Sequence, residues 1–298
     1  MTRTTAKPLQ PLKGVRILSL ALNLPGPAAL MRCRQMGAKC LKLEPPSGDP
    51  MRLYSQQAYD QLHEGIPLLS ANLKSEAGQK VLHRELAKAD VLLTSFRPSA
   101  TEKLGLGWKK LHHLYPMLSH IAIVGSPGAR AEEPGHDLTY QAISGLVSGL
   151  DLPATLYADM GGSLLATEAV LQALLNQRLK ARGNEKGKGV FMEVALSDAT
   201  DYLALPRQWD VMQPQSLIGG AHAGYRVSPC QDGRVALAAL EPHFFAALGA
   251  EVGLPASDLN AMLAPASQQA IAAFLLSRTR QELEQLAAAK DIPLHTMA

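Results

Sequence analysis

The chain predicts an α/β fold with a doubly wound parallel sheet, joined to a smaller α+β unit. Three observations carry that expectation. Short apolar strands alternate with helical periods through the first two hundred or so residues. The first strand-helix-strand stretch has the length of a right-handed parallel crossover. The pattern then changes near Pro214, where a hairpin signal and two helical stretches follow. The spacing therefore predicts a large domain over 1–214 and a small one over 215–298.

Gly14 to Leu20 reads as a buried strand entering the turn Pro25-Gly26-Pro27. Ala28 to Met36 is helical and stops at Gly37, a natural C-terminal residue. Cys40 to Glu44 is the second strand, closed by Pro45-Pro46-Ser47-Gly48. Ser75 to Ala89 is helical by period, Val91 to Phe96 is an apolar strand, Thr101 to His113 a short helix, and Leu118 to Val124 another strand. The longest helix runs from Met160 to Lys180 and ends in the polar, glycine-rich segment 181–189. That segment lacks the order of a phosphate loop and reads as a solvated connection. Val190 to Leu196 is one more strand, with Ser197 or Asp198 capping the next helix. Tyr225 to Pro229 and Arg234 to Ala239 flank the turn Gln231-Asp232-Gly233, and helices at 241–252 and 266–289 finish the chain.

Composition narrows the functions. A formal charge of +3 over 298 residues, without a dense Lys/Arg run, argues against nucleic acid as a partner. The three cysteines have neither a disulfide-framework nor a zinc spacing, so no metal is expected. No apolar run approaches the ~20 residues that span a bilayer, and the first eight residues lack the apolar core of a signal peptide. The expectation is a cytoplasmic protein. The first turn carries Pro-Gly-Pro instead of a dinucleotide-type glycine motif, so nothing supports NAD or ATP.

The chemistry-bearing residues cluster in two segments. Gly135-His136-Asp137-Leu138-Thr139-Tyr140 places an imidazole and a carboxylate between a Pro-Gly turn and an apolar helix. Ala158-Asp159-Met160-Gly161-Gly162 sets a second carboxylate at another helix start. A His and an Asp facing one cleft are a ready acid/base pair. Taken singly, each acid is accounted for by helix capping, worth about 1 kcal/mol, and His136 by an ordinary structural hydrogen bond. Glu241 suits the first turn of its helix.

Together these segments, with Leu240-Glu241-Pro242-His243-Phe244, resemble the family III CoA-transferases, and within them the α-methylacyl-CoA racemase branch. The opening Leu12-Lys13-Gly14-Val15-Arg16-Ile17-Leu18, Pro25-Gly26-Pro27, Phe96-Arg97-Pro98 and Leu104-Gly105-Leu106-Gly107 fit the same pattern across nearly the whole chain. The resemblance implies a Rossmann-like large domain and a homodimer. It also implies an acyl-CoA substrate, with CoA entering as part of that substrate and no bound cofactor. It makes His136 and Asp159 the two bases of a 1,1-proton transfer at the α-carbon of a 2-substituted acyl-CoA, with Asp137 and Glu241 orienting and tuning His136. Gly135, Tyr140, Arg97 and the stretch Ala71-Asn72-Leu73-Lys74 become the CoA and substrate contacts. In the transferase branch the position of Asp159 is instead a nucleophile that forms an acyl-aspartyl anhydride. That branch carries an aromatic residue where His136 stands.

The chain also departs from the racemase pattern. Pro45 replaces an Arg, Ile66-Pro67-Leu68 replaces a basic segment, and the sequence stops at Ala298 where relatives continue. Fewer cations for a polyanionic nucleotide imply that Arg97 and Lys74 carry more of the binding. They also raise a third reading, a shortened non-catalytic relative with weak or lost CoA affinity, and leave the geometry of an interlocked dimer open.

Overall fold

The computed structural model describes residues 9–182, 187–255 and 258–298. Residues 183–186, inside the glycine-rich connection, and the first eight residues lie outside the described residues. The chain divides into two compact units, the first ending at Ala204 and the second running from Leu205 to Ala298.

The first unit is a six-stranded, wholly parallel sheet. Its strands are β1 (Arg16–Ser19), β2 (Lys39–Glu44), β3 (Leu68–Ser70), β4 (Val91–Thr94), β5 (Ser119–Val124) and β6 (Phe191–Ala195). They lie in the order β3-β2-β1-β4-β5-β6, so the winding reverses between β1 and β4. Parallel strands buried on both faces need apolar residues of both parities, which β4 supplies in Val91-Leu92-Leu93. Val91 and Leu93 join one core with Ile17, Ile121 and Ile123. Leu92 joins the opposite core with Leu18, Leu43, Leu82 and Leu111.

Helices cover the two faces. They are α1 (Pro25–Gln35), α2 (Met51–Tyr54), α3 (Gln56–Leu62), α4 (Glu76–Leu86), α5 (Pro98–Lys103), α6 (Trp108–Leu114), α7 (Asp137–Ile143), α8 (Tyr157–Arg182) and α9 (Leu196–Gln208). α1 packs on α8 through small side chains; Ala29 of α1 and Ala166, Ala169 and Ala173 of α8 are all buried in the first core. Cys33 and Cys40 are buried in that same core, unbridged, and burial pushes both thiols up to about 12.

The second unit is an antiparallel sheet, β7 (Tyr225–Cys230), β8 (Gly233–Ala238) and β9 (Leu294–Met297), with β8 in the centre. Its helices are α10 (Pro242–Val252), α11 (Leu259–Leu263), α12 (Pro265–Leu276) and α13 (Arg280–Lys290). Val235, Leu237, Phe245, Leu248, Ile271, Leu275 and Leu283 form its core, with Cys230 among them as a free thiol.

Several elements differ from the sequence expectation for local reasons. The helix expected over 101–113 is two helices, because Gly105 turns left-handed at φ +75° and ends α5. The helix expected over 266–289 is also two. Thr279 and Glu282 form a reciprocal capping box that starts a new helix three residues after α12 ends. α9 begins at Leu196, so Ser197 and Asp198 lie inside its first turn instead of capping it. The short strands β3 and β9 were not expected; three or four residues are too few to show a period.

Candidate active site

In an open α/β sheet the crevice at the carboxyl ends of the strands, where the strand order reverses, is the natural place for a ligand. The first unit has a cavity of about 470 Å³ there. Leu22, Asn23, Leu24 and Pro25 line it after β1, Ser95, Phe96 and Arg97 after β4, and Ile123, Val124 and Gly125 at the end of β5. His136 and Tyr140 reach it from the start of α7, Asp159 from the first turn of α8, and Leu196 from the start of α9.

His136 is the N-cap residue of α7 and is exposed to solvent. Its backbone N–H donates to Thr139 Oγ1 at 3.1 Å, which fixes the entry of the helix and leaves the imidazole on the cavity wall. Neither acid is the N-cap that the sequence suggested: Asp137 is the first residue of α7, and Asp159 the third of α8. Asp137 is buried. One of its oxygens accepts from Gln141 Nε2, and the other accepts the backbone N–H of Asp159 at 3.0 Å. Asp137 therefore joins the starts of α7 and α8 and brings its charge beside Asp159. Among the described residues its carboxylate makes no hydrogen bond to the His136 ring.

Burial and that neighbour together set the state of Asp159. Burial, and then the negative charge of Asp137, push the Asp159 carboxyl up from 3.8 to about 7. Tyr140 is buried with its hydroxyl against Gly125 and Gly135, where a Cβ at either glycine would collide with it. Burial and then Asp159 raise the Tyr140 phenol, while Arg97 opposes them. The wall thus holds an imidazole, a carboxyl poised near neutrality, a phenol and one guanidinium, among apolar surface from Leu22, Leu24, Phe96, Ile123, Leu156 and Leu196.

Of the other expected site residues, Gly135, Arg97 and Tyr140 line the cavity and Ala71-Asn72-Leu73-Lys74 do not. The last four form the turn between β3 and α4, where Asn72 Oδ1 accepts the N–H of Lys74 at 3.0 Å. Glu241 is the N-cap residue of α10 in the second unit and is exposed. Sequence reasoning missed Asn23, Ser95 and Glu133 on the wall. The positions of Asn23 and Ser95, just past the ends of the two strands that flank the winding reversal, were the available signal.

A second polar group lies behind the cavity. Lys42, fully buried, donates to Asp49 Oδ2 and to His63 Nε2 at 2.8 Å, and forms an ion pair with Glu44 Oε1 at 3.2 Å. His63 Nδ1 donates to the Tyr59 carbonyl at 2.7 Å, so Nε2 is free to accept. Glu44, Asp49 and His63 have the donor set of a metal site. The Lys42 ammonium already satisfies that set, and a second cation there would face it directly.

A family model described as CoA-transferase family III matches residues 12–298. The chain belongs to CoA-transferase family III. It is 30% identical over 273 residues to an alpha-methylacyl-CoA racemase of Mus musculus, covering 86% of this chain and 68% of that protein. It is 28% identical over 281 residues to an acetyl-CoA:oxalate CoA-transferase of Acetobacter aceti, covering 86% of this chain and 70% of that one. A succinyl-CoA–D-citramalate CoA-transferase of Chloroflexus aurantiacus is 32% identical over 207 residues, and there the match spans about half of the relative, 51%, and 65% of this chain. The fold matches a CAIB/BAIF family protein from Brucella suis with a TM-score of 0.78 at 24% identity, over 98% of this chain and 85% of that one. Racemases and CoA-transferases both act on CoA thioesters, so this is a family of acyl-CoA enzymes.

Proposed function

We propose that the cavity binds an acyl-CoA and that His136 and Asp159 exchange a proton at its α-carbon, a racemase-type reaction on a 2-substituted thioester. The observation that carries this reading is that an imidazole and a carboxyl near pKa 7 line one largely apolar cavity. A base that must take a proton and an acid that must return one work best close to the ambient pH. In one direction His136 takes the α-proton, the electron pair moves to the thioester oxygen, and protonated Asp159 delivers a proton to the other face. The reverse direction exchanges the roles. The developing oxyanion needs donors fixed in place, and a helix N-terminus such as that of α7 presents first-turn N–H groups suited to that task. A 2-methylacyl-CoA held in heavy water should gain deuterium at the α-carbon without any acceptor acid. Absence of wash-in across several acyl-CoAs, together with acceptor-dependent CoA exchange, rejects the reading.

The names of two relatives favour a second reading, CoA transfer. Here an Asp159 oxygen attacks the thioester carbon, CoA leaves as the thiolate, and an acyl-aspartyl anhydride forms for an incoming carboxylate to open. Hydroxylamine should then trap Asp159 as a hydroxamate. A protein that binds no CoA at millimolar concentration supports the third reading, a non-catalytic relative.

Arg97 is the strongly basic residue on the cavity wall and is our candidate for the nucleotide phosphates, with Lys74 beyond the cavity. We place the enzyme in the cytoplasm; among the described residues no helix is long and apolar enough to cross a membrane. A homodimer would cover the exposed Ile143, Leu150 and Leu152.

A further inference from the structure

Gln141 is buried in α7, one turn after Asp137, and is not among the residues of the cavity wall. Its amide nitrogen donates twice, to Asp137 Oδ2 and to the Thr155 carbonyl at 3.2 Å, just ahead of α8. Asp137 Oδ1 meanwhile accepts the Asp159 N–H at 3.0 Å. These bonds brace the start of α8 against one side of α7.

The amide is held for its donors. Both groups that face its nitrogen are acceptors, which fixes its orientation, and Gln141 Oε1 is left buried without a hydrogen bond among the described residues. An unpaired buried acceptor is a cost and calls for a physical account. A leucine here would avoid it but give up the bond to Asp137. A lysine would avoid it by setting a cation against that carboxylate. Glutamine alone of the three donates to Asp137 and leaves its charge unbalanced. We propose that Gln141 is a positioning residue for Asp159: it pins the Asp137 carboxylate against the first turn of α8 and brings no positive charge to balance it. The inference rests on the reading of Asp159 as a group that exchanges the α-proton. Four other charged or titratable groups face this wall: His136 and Tyr140 from α7, Glu133 ahead of it, and Arg97 at the start of α5. Among the described residues none of their side chains bonds the Gln141 amide, so a change there reaches Asp159 through Asp137.

Gln141→Met keeps the length of the side chain and removes both donors. It also removes the unpaired oxygen, so the protein should stay folded. Without its donor, Asp137 either turns away or takes up a proton itself; in both cases less negative charge faces Asp159. The Asp159-dependent limb of the kcat profile should move toward acid by about 1 pH unit, with KM little changed. Gln141→Asn, whose amide stops one bond short, should act in the same way. In an Asp137→Asn background neither substitution should move the limb further. A limb that stays in place in the folded variants, or that moves equally in the Asp137→Asn background, overturns the proposal and makes Gln141 a packing residue. Chemical unfolding gives the same answer without turnover. The stability that Asp159→Asn gains at pH 8 relative to pH 4 should shrink when Gln141→Met is present. An unchanged gain overturns the proposal even where no α-proton exchange is seen, so its failure and that of the racemase reading are told apart.

Discussion

The first unit contains two groups of paired carboxylates, and they have opposite fates. Glu44 and Asp49 share the buried ammonium of Lys42; Glu44 also accepts the Tyr59 hydroxyl at 2.7 Å and has Arg52 at 3.6 Å. Asp137 and Asp159 are brought together by one backbone hydrogen bond, and no ion pair forms with either among the described residues. Both groups are withdrawn from solvent, Asp159 only in part, but countercharge is not common to them. Where cations balance the acids, the group ties β2 to the wall of the cavity. Where they do not, one acid is kept protonated into the neutral range and becomes available for proton transfer. Burial of acids alone does not mark a site; missing compensation does.

Breaking the uncompensated pair should have the largest effect. Asp159→Asn should lower turnover about 10²- to 10⁴-fold while the protein stays folded. A variant with near-normal turnover would reduce Asp159 to a first-turn helix residue. The compensated pair should respond in stability. Asp49→Leu leaves the buried Lys42 with Glu44 as its one remaining carboxylate among the described residues and should cost about 3 kcal/mol in urea unfolding. The double variant Lys42→Met, Asp49→Leu should recover much of that loss. If single and double variants are equally unstable, the ion pair is not what holds this region.

The pH dependence of stability sharpens the contrast further. Asp159 sits at about 7 in the folded protein against 3.8 as a free side chain. The folded state therefore binds more protons than the unfolded state between those values, and stability falls as pH rises through that window. Asp159→Asn should match wild type at pH 4 and exceed it at pH 8 by about 1–3 kcal/mol, allowing for the screening of a partly exposed group. Equal stability at both pH values would mean that Asp159 is not held protonated. The smallest expected effect is Asp137→Asn. Removing the neighbouring charge should let Asp159 ionise at lower pH, which shifts the Asp159-dependent limb of the kcat profile toward acid.

Much of this contrast was hidden in the sequence. The strands β1, β4 and β5 were legible through short apolar runs bounded by turns, and β2 and β6 through their place in the alternation of strands and helices. His136 and Asp159 were legible as candidates through their setting at helix starts and the family pattern. The bond from Asp137 to the Asp159 N–H was not, because it joins residues 22 positions apart. Lys42 was hidden for a related reason. In Leu41-Lys42-Leu43 it has the pattern of a residue facing solvent, and only Asp49 and His63, from later segments, make its burial tolerable.

The cysteines give each unit its own built-in reporter. Cys33 and Cys40 are sealed in the core of the first unit as protonated thiols, and Cys230 is buried in the core of the second. A thiolate-seeking reagent added to the native protein has almost nothing to react with until a core opens. Mass spectrometry of peptides after a timed alkylation pulse then shows which unit opens first, in the unaltered sequence and without an added probe. An acyl-CoA that binds in the first unit should slow labelling of Cys33 and Cys40 by mass action. Cys230 should keep its own rate unless the two units unfold as one.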